Sequence, residues 1–457
     1  MTTRPTLSIV LAAGKGTRMR SARPKVLHAI AGRSMLGHVL ATAATEGAGS
    51  VAVVVGPAMD AVATEARDFI PSADIFIQAD QLGTAHAVLA AREAIARHCG
   101  DVLVLFADTP LFRRETLDAV RRSLDSGAAV SVVGFEAADP TGYGRVLTDA
   151  AGRPTAIREH GDATAAERRT TLCNAGVMGF RAEHLLGILE TVGSENAKQE
   201  YYLTDVVAAA RAAGLETAVV ACSESEVLGI NSRDQLAAAE AIWQIRRRRE
   251  VMLAGATLIA PETVWLSHDT VIGRDVVIEP NVFFGPGVRV EDGVIIKANS
   301  HIDGAHIHAG AIVGPFARLR PGADIGVDVH IGNFVEVKNA RLEEGAKANH
   351  LAYIGDGRVG AGANIGAGTI FCNYDGFFKH HTDVGKGAFI GSNSSLVAPV
   401  TIGDGAFVGS GSVITKDVGP DALAVERATQ TERPGWAAKF RTMMQRRKTE
   451  RKLQGGA

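Results

Sequence analysis

The residue types best placed to do chemistry fall into two groups. The first is Leu11-Ala12-Ala13-Gly14-Lys15-Gly16-Thr17-Arg18-Met19, followed by Pro24-Lys25. Glycines there let backbone N–H groups approach a phosphate closely, and the start of a following helix adds positive character. The spacing fits neither GxxxxGK[ST] nor GxGxxG, so a Walker loop and a dinucleotide fingerprint are both poor matches. Taken alone, the stretch reads equally well as a tight turn. The apolar run 102–106 is followed by Ala107-Asp108-Thr109-Pro110, which puts Asp108 at the end of a strand. A carboxylate there caps a helix. Opposite a triphosphate it would instead hold Mg²⁺, which takes one or two protein oxygens plus phosphates and waters. The second group is His350 with the loop Asn373-Tyr374-Asp375-Gly376. Histidine titrates near neutral pH and suits proton removal from an attacking amine, yet one histidine among fourteen carries little weight by itself.

Two kinds of element must position these groups. Residues 6–12, 51–55, 102–106 and 129–135 are short apolar runs separated by helical stretches such as 35–46 and 84–97. Such runs suit parallel strands buried on both faces, hence an α/β doubly wound, Rossmann-like sheet whose ligands sit at the carboxyl ends of its strands. Residues 233–253 turn helical, with Leu236, Ala239, Ile242, Trp243 and Ile245 on one side and Arg246 to Arg249 read as a solvated face. From Val264 to Val418 the aliphatic residues recur in sixes. Ile272, Ile278, Phe284, Val290, Ile296 and Ile302 set the beat, and Val384, Ile390, Leu396, Ile402, Val408 and Ile414 end it. A period of six fits neither an amphipathic helix nor an alternating strand; it fits a hexapeptide β-helix with one aliphatic side chain per hexad pointing inward. The beat fails at 341–353 and 371–382, and insertions in repeat folds project on the binding face. His350 and Asn373 fall in those two breaks.

Composition narrows the field. The chain has 457 residues, is 46% hydrophobic and 21% charged, and carries a formal charge of −2, so it reads as a globular protein without the basic surplus of a nucleic-acid binder. Cys99, Cys173, Cys222 and Cys372 are far apart and imply neither a disulfide framework nor a zinc site. There is no signal peptide and no apolar run long enough to cross a membrane, which makes the cytoplasm the expected location. His301, His306 and His308 read as scaffold or solvent-facing rather than as a metal cluster, because no carboxylate second shell is evident. The basic tail holding Lys439, Arg441, Arg446, Arg447, Lys448, Arg451 and Lys452 reads as mobile or surface-docked.

At this point the chain resembles a known family. The loop from Leu11 to Met19 with Lys25 is similar to the signature loop of sugar-nucleotide pyrophosphorylases. Joined to a hexapeptide ladder carrying Asn349-His350-Leu351-Ala352-Tyr353 and Asn373-Tyr374-Asp375-Gly376, it resembles the bifunctional N-acetylglucosamine-1-phosphate uridylyltransferase/glucosamine-1-phosphate N-acetyltransferases. The likeness runs to about Gly435. It implies a nucleotidyltransferase domain over 1–231, a helical linker over 232–254, a left-handed β-helix acetyltransferase domain over 255–430 and a basic tail over 431–457. It implies that Leu11, Ala12, Ala13, Gly14 and Lys25 meet UTP, that Gln78, Gln81, Gly83 and Thr84 hold the nucleotide, and that Asp108 and Asn231 bind Mg²⁺. Gly144, Glu159 and Asn174 would hold the sugar. Arg18 is added on grounds of charge, as a neutralising cation beside Lys25. In the ladder, His350 would be the proton acceptor, Arg320, Lys338, Tyr353 and Asn364 would bind the sugar phosphate, and Ala367, Asn373, Tyr374, Ser392, Ser410 and Arg427 would line the acetyl-CoA groove. A homotrimer with sites between neighbouring prisms follows from the same resemblance. Two departures stand out: Ala107 where the family has glycine, expected to crowd the loop, and Gly161 where a lysine follows the Glu159 segment. The rival readings are a single-function nucleotidyltransferase with an idle β-helix and a non-catalytic scaffold.

Overall fold

A computed structural model describes residues 4–44 and 49–454, with side chains to Arg451, so Glu46 of the expected helix 35–46 and Lys452 of the tail lie outside the described side chains. The chain divides into two compact units, one formed by 1–272 with 283–288 and the other by 273–282 with 289–457.

In the first unit the apolar runs become a central sheet. Its strands lie in the order Thr217–Ala221, Val130–Glu136, Leu172–Arg181, Asp101–Phe106, Thr6–Leu11, Ser50–Val55, Asp74–Ile77. Alternation along Thr6–Leu11 serves two layers: Leu7, Ile9 and Leu11 pack with one set of helices and Val10 with the other. Burial on both faces explains why these strands read as near-continuous apolar runs. Leu172–Arg181 departs from the expectation of parallel pairing, running antiparallel to Val130–Glu136 and Asp101–Phe106, and the short strands Arg145–Thr148 and Pro154–Arg158 beside it are antiparallel too. The stretch expected as one helix over 84–97 splits at Ala91 into Thr84–Ala90 and Arg92–Arg97.

The helix Arg233–Leu253 forms as expected, but two details differ. Ala239 is buried and packs with Leu236, Ile242 and Trp243, whereas Ile245 is exposed, because it lies about half a turn from Leu236 at ~100° per residue. Three of the four consecutive arginines do not form a solvated face. Arg246 donates to the carbonyls of Leu111 and Ser225, Arg247 to Thr270 and Arg248 to Val264, so they tie loops down by satisfying backbone acceptors.

His38 packs edge-on near Trp243 and His268 and shares a 2.8 Å hydrogen bond with the Ile30 carbonyl. Burial pushes its pKa down from 6.5 to about 4. The fold therefore prefers the neutral ring, and this contribution is complete above pH 6.5 and lost as the pH falls toward 4. At ~1.4 kcal/mol per pH unit the loss reaches roughly 3 kcal/mol. Denaturant midpoints measured across that window should fall for the parent protein, and His38→Gln should remove most of this slope.

In the second unit the strands are two to seven residues long and stack in parallel coils. One face pairs Val277–Ile278, Ile295–Ile296, Ile312–Val313, His330–Asn333, Lys347–His350, Asn364–Ile365, Phe389–Ile390, Phe407–Val408 and Leu423–Ala424 in that order. The hexad residues of this unit form its core, from Ile278 and Ile296 to Val408, each fully buried. The first expected break is no insertion. Leu342, Ala348 and Ile354 keep pointing inward at six-residue spacing and are fully buried, and the beat faded from view because alanine stands in for an aliphatic. The second break is real: Tyr374, Phe377 and Phe378 project from the loop between Ile370–Cys372 and Thr382–Val384 and are exposed. The tail, expected to be mobile or docked, folds as the helix Trp436–Gln454, with its described side chains exposed and Trp436 stacked on Phe440.

Candidate active sites

At the carboxyl ends of the parallel strands in the first unit lies a cavity of about 300 Å³. Leu11, Ala12, Ala13, Gly14, Lys25, Gln78, Gln81, Gly83, Thr84 and Asp108 line it, as the sequence led us to expect, together with Phe106 and Glu200, which it did not. Gly16 sits at φ 62°, and a side chain there would meet Lys25 Cβ at 2.4 Å. At Gly14 neither constraint applies: its φ is ordinary, and an added Cβ would meet nothing within 4 Å. Open space beside a backbone at a cavity wall is what a close-approaching ligand requires. Gln81 Nε2 donates to the Ala13 carbonyl at 2.5 Å and Gln78 Nε2 to that of Gly83 at 3.0 Å, so both amides brace the loops.

Lys25 is 8% exposed, and its Nζ lies 2.5 Å from Asp108 Oδ2 and 3.1 Å from Asn231 Oδ1. Asn231 reaches this point because the Ile230 N–H bonds the Asp108 carbonyl while Gln235 Oε1 accepts from the Asn231 N–H. Asp108, Asn231 and Lys25 are thus one cluster. Arg18 is exposed and is not among the residues lining the cavity. Ala107 does not crowd the loop: it is fully buried in the core, and its N–H bonds the Leu11 carbonyl.

Gly144, Glu159 and Asn174 also converge. The Asn174 N–H bonds the Gly144 carbonyl at 2.8 Å, and a Cβ on Gly144 would lie 3.3 Å from Glu159 Oε1. Glu159 accepts from the Thr204 hydroxyl, and burial pushes its carboxyl above the ordinary range. Gly161 faces open space, with only Ala197 Cβ near an added side chain.

In the second unit, coil register sorts the expected residues into columns. Asn333 pairs with His350, Ala348 with Ile365, Ile365 with Ile390 and Ile390 with Val408. Two residues on from those pairs, His350, Ala367, Ser392 and Ser410 follow one another along a prism edge. Backbone bonds from the Asn393 N–H to Ala367 and from the Gly411 N–H to Ser392 hold the spacing, and Arg427 donates to the Ser410 carbonyl at 2.7 Å. His350 is exposed and its Nδ1 lies 2.6 Å from Asn333 Oδ1. With the amide oxygen accepting, Nδ1 carries the proton and Nε2 is left as a base. Asn333 is the residue of this column that sequence reasoning missed; only the coil register brings it beside His350.

A second column holds the cations. Lys338 pairs with Gly355 and sits one residue beyond the Leu319–Val337 pair, in line with Arg320. Arg320 is bonded to Glu336 Oε1 at 2.9 Å, and Glu336 pairs with Tyr353 in the next coil. Asn373 donates to the Tyr353 hydroxyl and to Asp356. Asn364 pairs with Lys347 and lies on the face that carries His350. Tyr374 is exposed, bonds the Gly376 carbonyl and lies under the Lys379 ammonium at 4.4 Å. The loop is braced by Asp375, whose carboxyl is held well below its usual range by hydrogen bonds from the Phe378 N–H, His380 and the Phe377 N–H.

Comparison with known proteins gives concordant matches. The family described as MobA-like NTP transferase domain matches residues 8–170, and the bacterial transferase hexapeptide family matches 269–304 and 381–416. The hexapeptide match fits the left-handed sense of such coils. The "Bifunctional protein GlmU" of Azorhizobium caulinodans is 60% identical over 441 residues, covering 96% of this chain and 98% of that protein. Those of Xanthobacter autotrophicus and Agrobacterium fabrum are 57% and 53% identical, covering 96% and 98% of this chain and 98% and 99% of theirs. The chain belongs to the GlmU family.

Nucleotidyl transfer in the GlmU family calls for a divalent metal, and the residues here fit one. Asp108 and Asn231 direct a carboxylate and an amide oxygen at a single positive centre, the Lys25 ammonium. Two hard oxygen donors with room beside them for phosphate oxygens are the donor set a small divalent cation uses. Among the described residues no helix is long and apolar enough to cross a membrane.

Proposed function

We propose that the chain makes UDP-N-acetylglucosamine in two steps, acetylating glucosamine 1-phosphate with acetyl-CoA in the second unit and then coupling the product to UMP from UTP in the first. The observation that carries this reading is the occurrence, in one chain, of a Lys25–Asp108–Asn231 cluster at the strand ends and of His350 heading a column that ends at Arg427. In acetyl transfer the sugar amine attacks the thioester carbonyl, His350 Nε2 takes the amine proton, the C–S bond breaks, and the CoA thiolate takes up that proton from His350 and leaves as the thiol. Arg320 and Lys338 grip the sugar phosphate, with Tyr353 and Asn364 beside it, and the column from Ala367 to Ser410 with Asn373, Tyr374 and Arg427 receives CoA.

In uridylyl transfer the sugar-phosphate oxygen attacks the α-phosphorus of UTP in line, and pyrophosphate leaves. No protein nucleophile is needed, so catalysis rests on positioning and charge. Lys25 faces the phosphates, Gly14 lets them approach the backbone, Gln78, Gln81, Gly83 and Thr84 hold the nucleoside, and Gly144, Glu159 and Asn174 hold the sugar. Mg²⁺, held by Asp108 and Asn231, would neutralise phosphate charge. Arg18 has a looser role, since it stands outside the cavity and would have to swing in.

The enzyme is further proposed to be a cytoplasmic homotrimer. The exposed, stacked rings of Phe316 and Phe334, 5.1 Å apart, give the prism an apolar surface that another copy would cover. The test of the bifunctional reading follows free CoA and pyrophosphate separately with glucosamine 1-phosphate, acetyl-CoA, UTP and Mg²⁺ supplied. Both should appear, and pyrophosphate should depend on acetyl-CoA unless N-acetylglucosamine 1-phosphate is given. Pyrophosphate without CoA would favour a single-function nucleotidyltransferase.

A further inference from the structure

His306 and His308 flank the inward Ile307, so both imidazoles leave the prism on the same side. The coil below brings Glu291 and the coil above brings Asp324, because Arg289 pairs with His306 and His306 with Asp324. The carboxylates that meet these rings therefore come from adjacent coils, which corrects the ground on which a metal cluster was set aside. The two rings lie 3.9 Å apart, and all four side chains are half-buried or at its edge. Glu291 Oε1 lies 2.8 Å from His306 Nε2 and 3.4 Å from His308 Nδ1, and one ligand atom from each of the three residues falls within 4.8 Å of the others.

The proton positions make this more than a hydrogen-bonded stack. His308 Nε2 lies 2.7 Å from Asp324 Oδ1, so it carries the proton donated to that carboxylate. In a neutral ring Nδ1 then presents a lone pair, and it does so toward the carboxylate oxygen of Glu291. At 3.4 Å that contact calls for a positive charge between the two atoms, either a second proton on His308 or a metal ion. The outer contacts match those that orient metal ligands: Asp324 holds His308, the Ala309 N–H bonds Glu291 Oε2 at 3.2 Å, and Arg341 approaches Asp324. We propose that Glu291, His306 and His308 form a divalent transition-metal site of the zinc class, separate from the two sites described above. The two Glu291–histidine distances, 2.8 and 3.4 Å, lie on either side of the ~3.3 Å edge of a tetrahedron with ~2.0–2.1 Å bonds, and three N/O ligands leave a fourth position for water or another ligand. Binding through His306 Nε2 would move the proton it shares with Glu291 to Nδ1 of the same neutral ring and open their 2.8 Å contact slightly.

The experiment titrates Zn²⁺ into chelator-stripped full-length protein by calorimetry, with Mg²⁺ in excess to occupy the nucleotide site, and records the visible spectrum with Co²⁺. The parent should bind one Zn²⁺ per chain and give Co²⁺ ligand-field bands. Outer-shell changes typically cost ~10–100-fold in metal affinity, so Asp324→Asn should fall in that range, and His306→Ala, His308→Ala and Glu291→Gln should exceed it. Both transferase activities should be unchanged in these variants. Absence of stoichiometric Zn²⁺ binding and of Co²⁺ bands in the parent overturns the proposal whether or not any variant folds. Equal binding by the folded His306→Ala/His308→Ala double variant does the same, leaving a doubly protonated His308 between two carboxylates as the reading of the cluster.

Discussion

His350→Ala is expected to lower kcat for acetyl transfer by ~10²–10⁴-fold, the range a positioned general base contributes, while leaving uridylyl transfer from supplied N-acetylglucosamine 1-phosphate unchanged. The geometry gives this expectation its particular form. His350 is exposed and ends the strand Lys347–His350, so removing its ring opens no cavity in the prism. The fold should persist and the loss should fall on kcat rather than on stability. Its tautomer depends on Asn333, whose Oδ1 lies 2.6 Å from Nδ1. Asn333→Asp should keep the Nδ1 proton in place and retain activity, whereas Asn333→Ala frees either tautomer and should cost several-fold in kcat with little change in KM. The check is the rate of CoA thiol release at saturating acetyl-CoA, followed with pH. If His350→Ala kept its rate, proton removal would belong to solvent and His350 would be a binding residue.

How far the sequence discloses this molecule can be seen by comparing Ala348, His350 and Asn333. The six-residue beat was legible along unbroken runs of Ile, Val and Leu; it faded where buried Leu342 follows Val337 by five residues and where Ala348 offers only a methyl group with little hydropathic contrast. His350 therefore looked like a loop residue, although Ala348 is fully buried and the coil continues through it. Asn333 was invisible for another reason: it lies seventeen positions from His350, and only coil register makes them neighbours. The same blindness applied to Glu291 and Asp324 beside His306 and His308. In the first unit, buried parallel strands announced themselves as apolar runs, but the antiparallel strand Leu172–Arg181 did not, because hydrophobicity carries no direction. The arginines of Arg233–Leu253 were misjudged because charge was read without its acceptors, which are carbonyls of distant loops.

Asp108→Asn is expected to reduce uridylyl transfer by ~10²–10³-fold, since a metal's charge stabilisation is worth several kcal/mol and each ~1.4 kcal/mol is tenfold in rate. Two roles for the carboxylate must be separated, because it lies 2.5 Å from Lys25 Nζ as well as where a metal would bind. Removing one partner of a buried pair is costly when the other is left unpaired. Here Asn231 Oδ1 still accepts from the ammonium at 3.1 Å, so the variant should fold. If Asp108 holds the metal, the variant should need far more Mg²⁺ for half-maximal rate, and raising Mg²⁺ should recover part of the loss. Lys25→Met should also slow the reaction but keep the parent's Mg²⁺ dependence, because its lesion is a missing phosphate contact. Acetyl transfer should be unaffected in both. Pyrophosphate release measured against Mg²⁺ concentration decides the matter: an unshifted curve for Asp108→Asn would mean that the carboxylate positions Lys25 and that the metal is held by other oxygens.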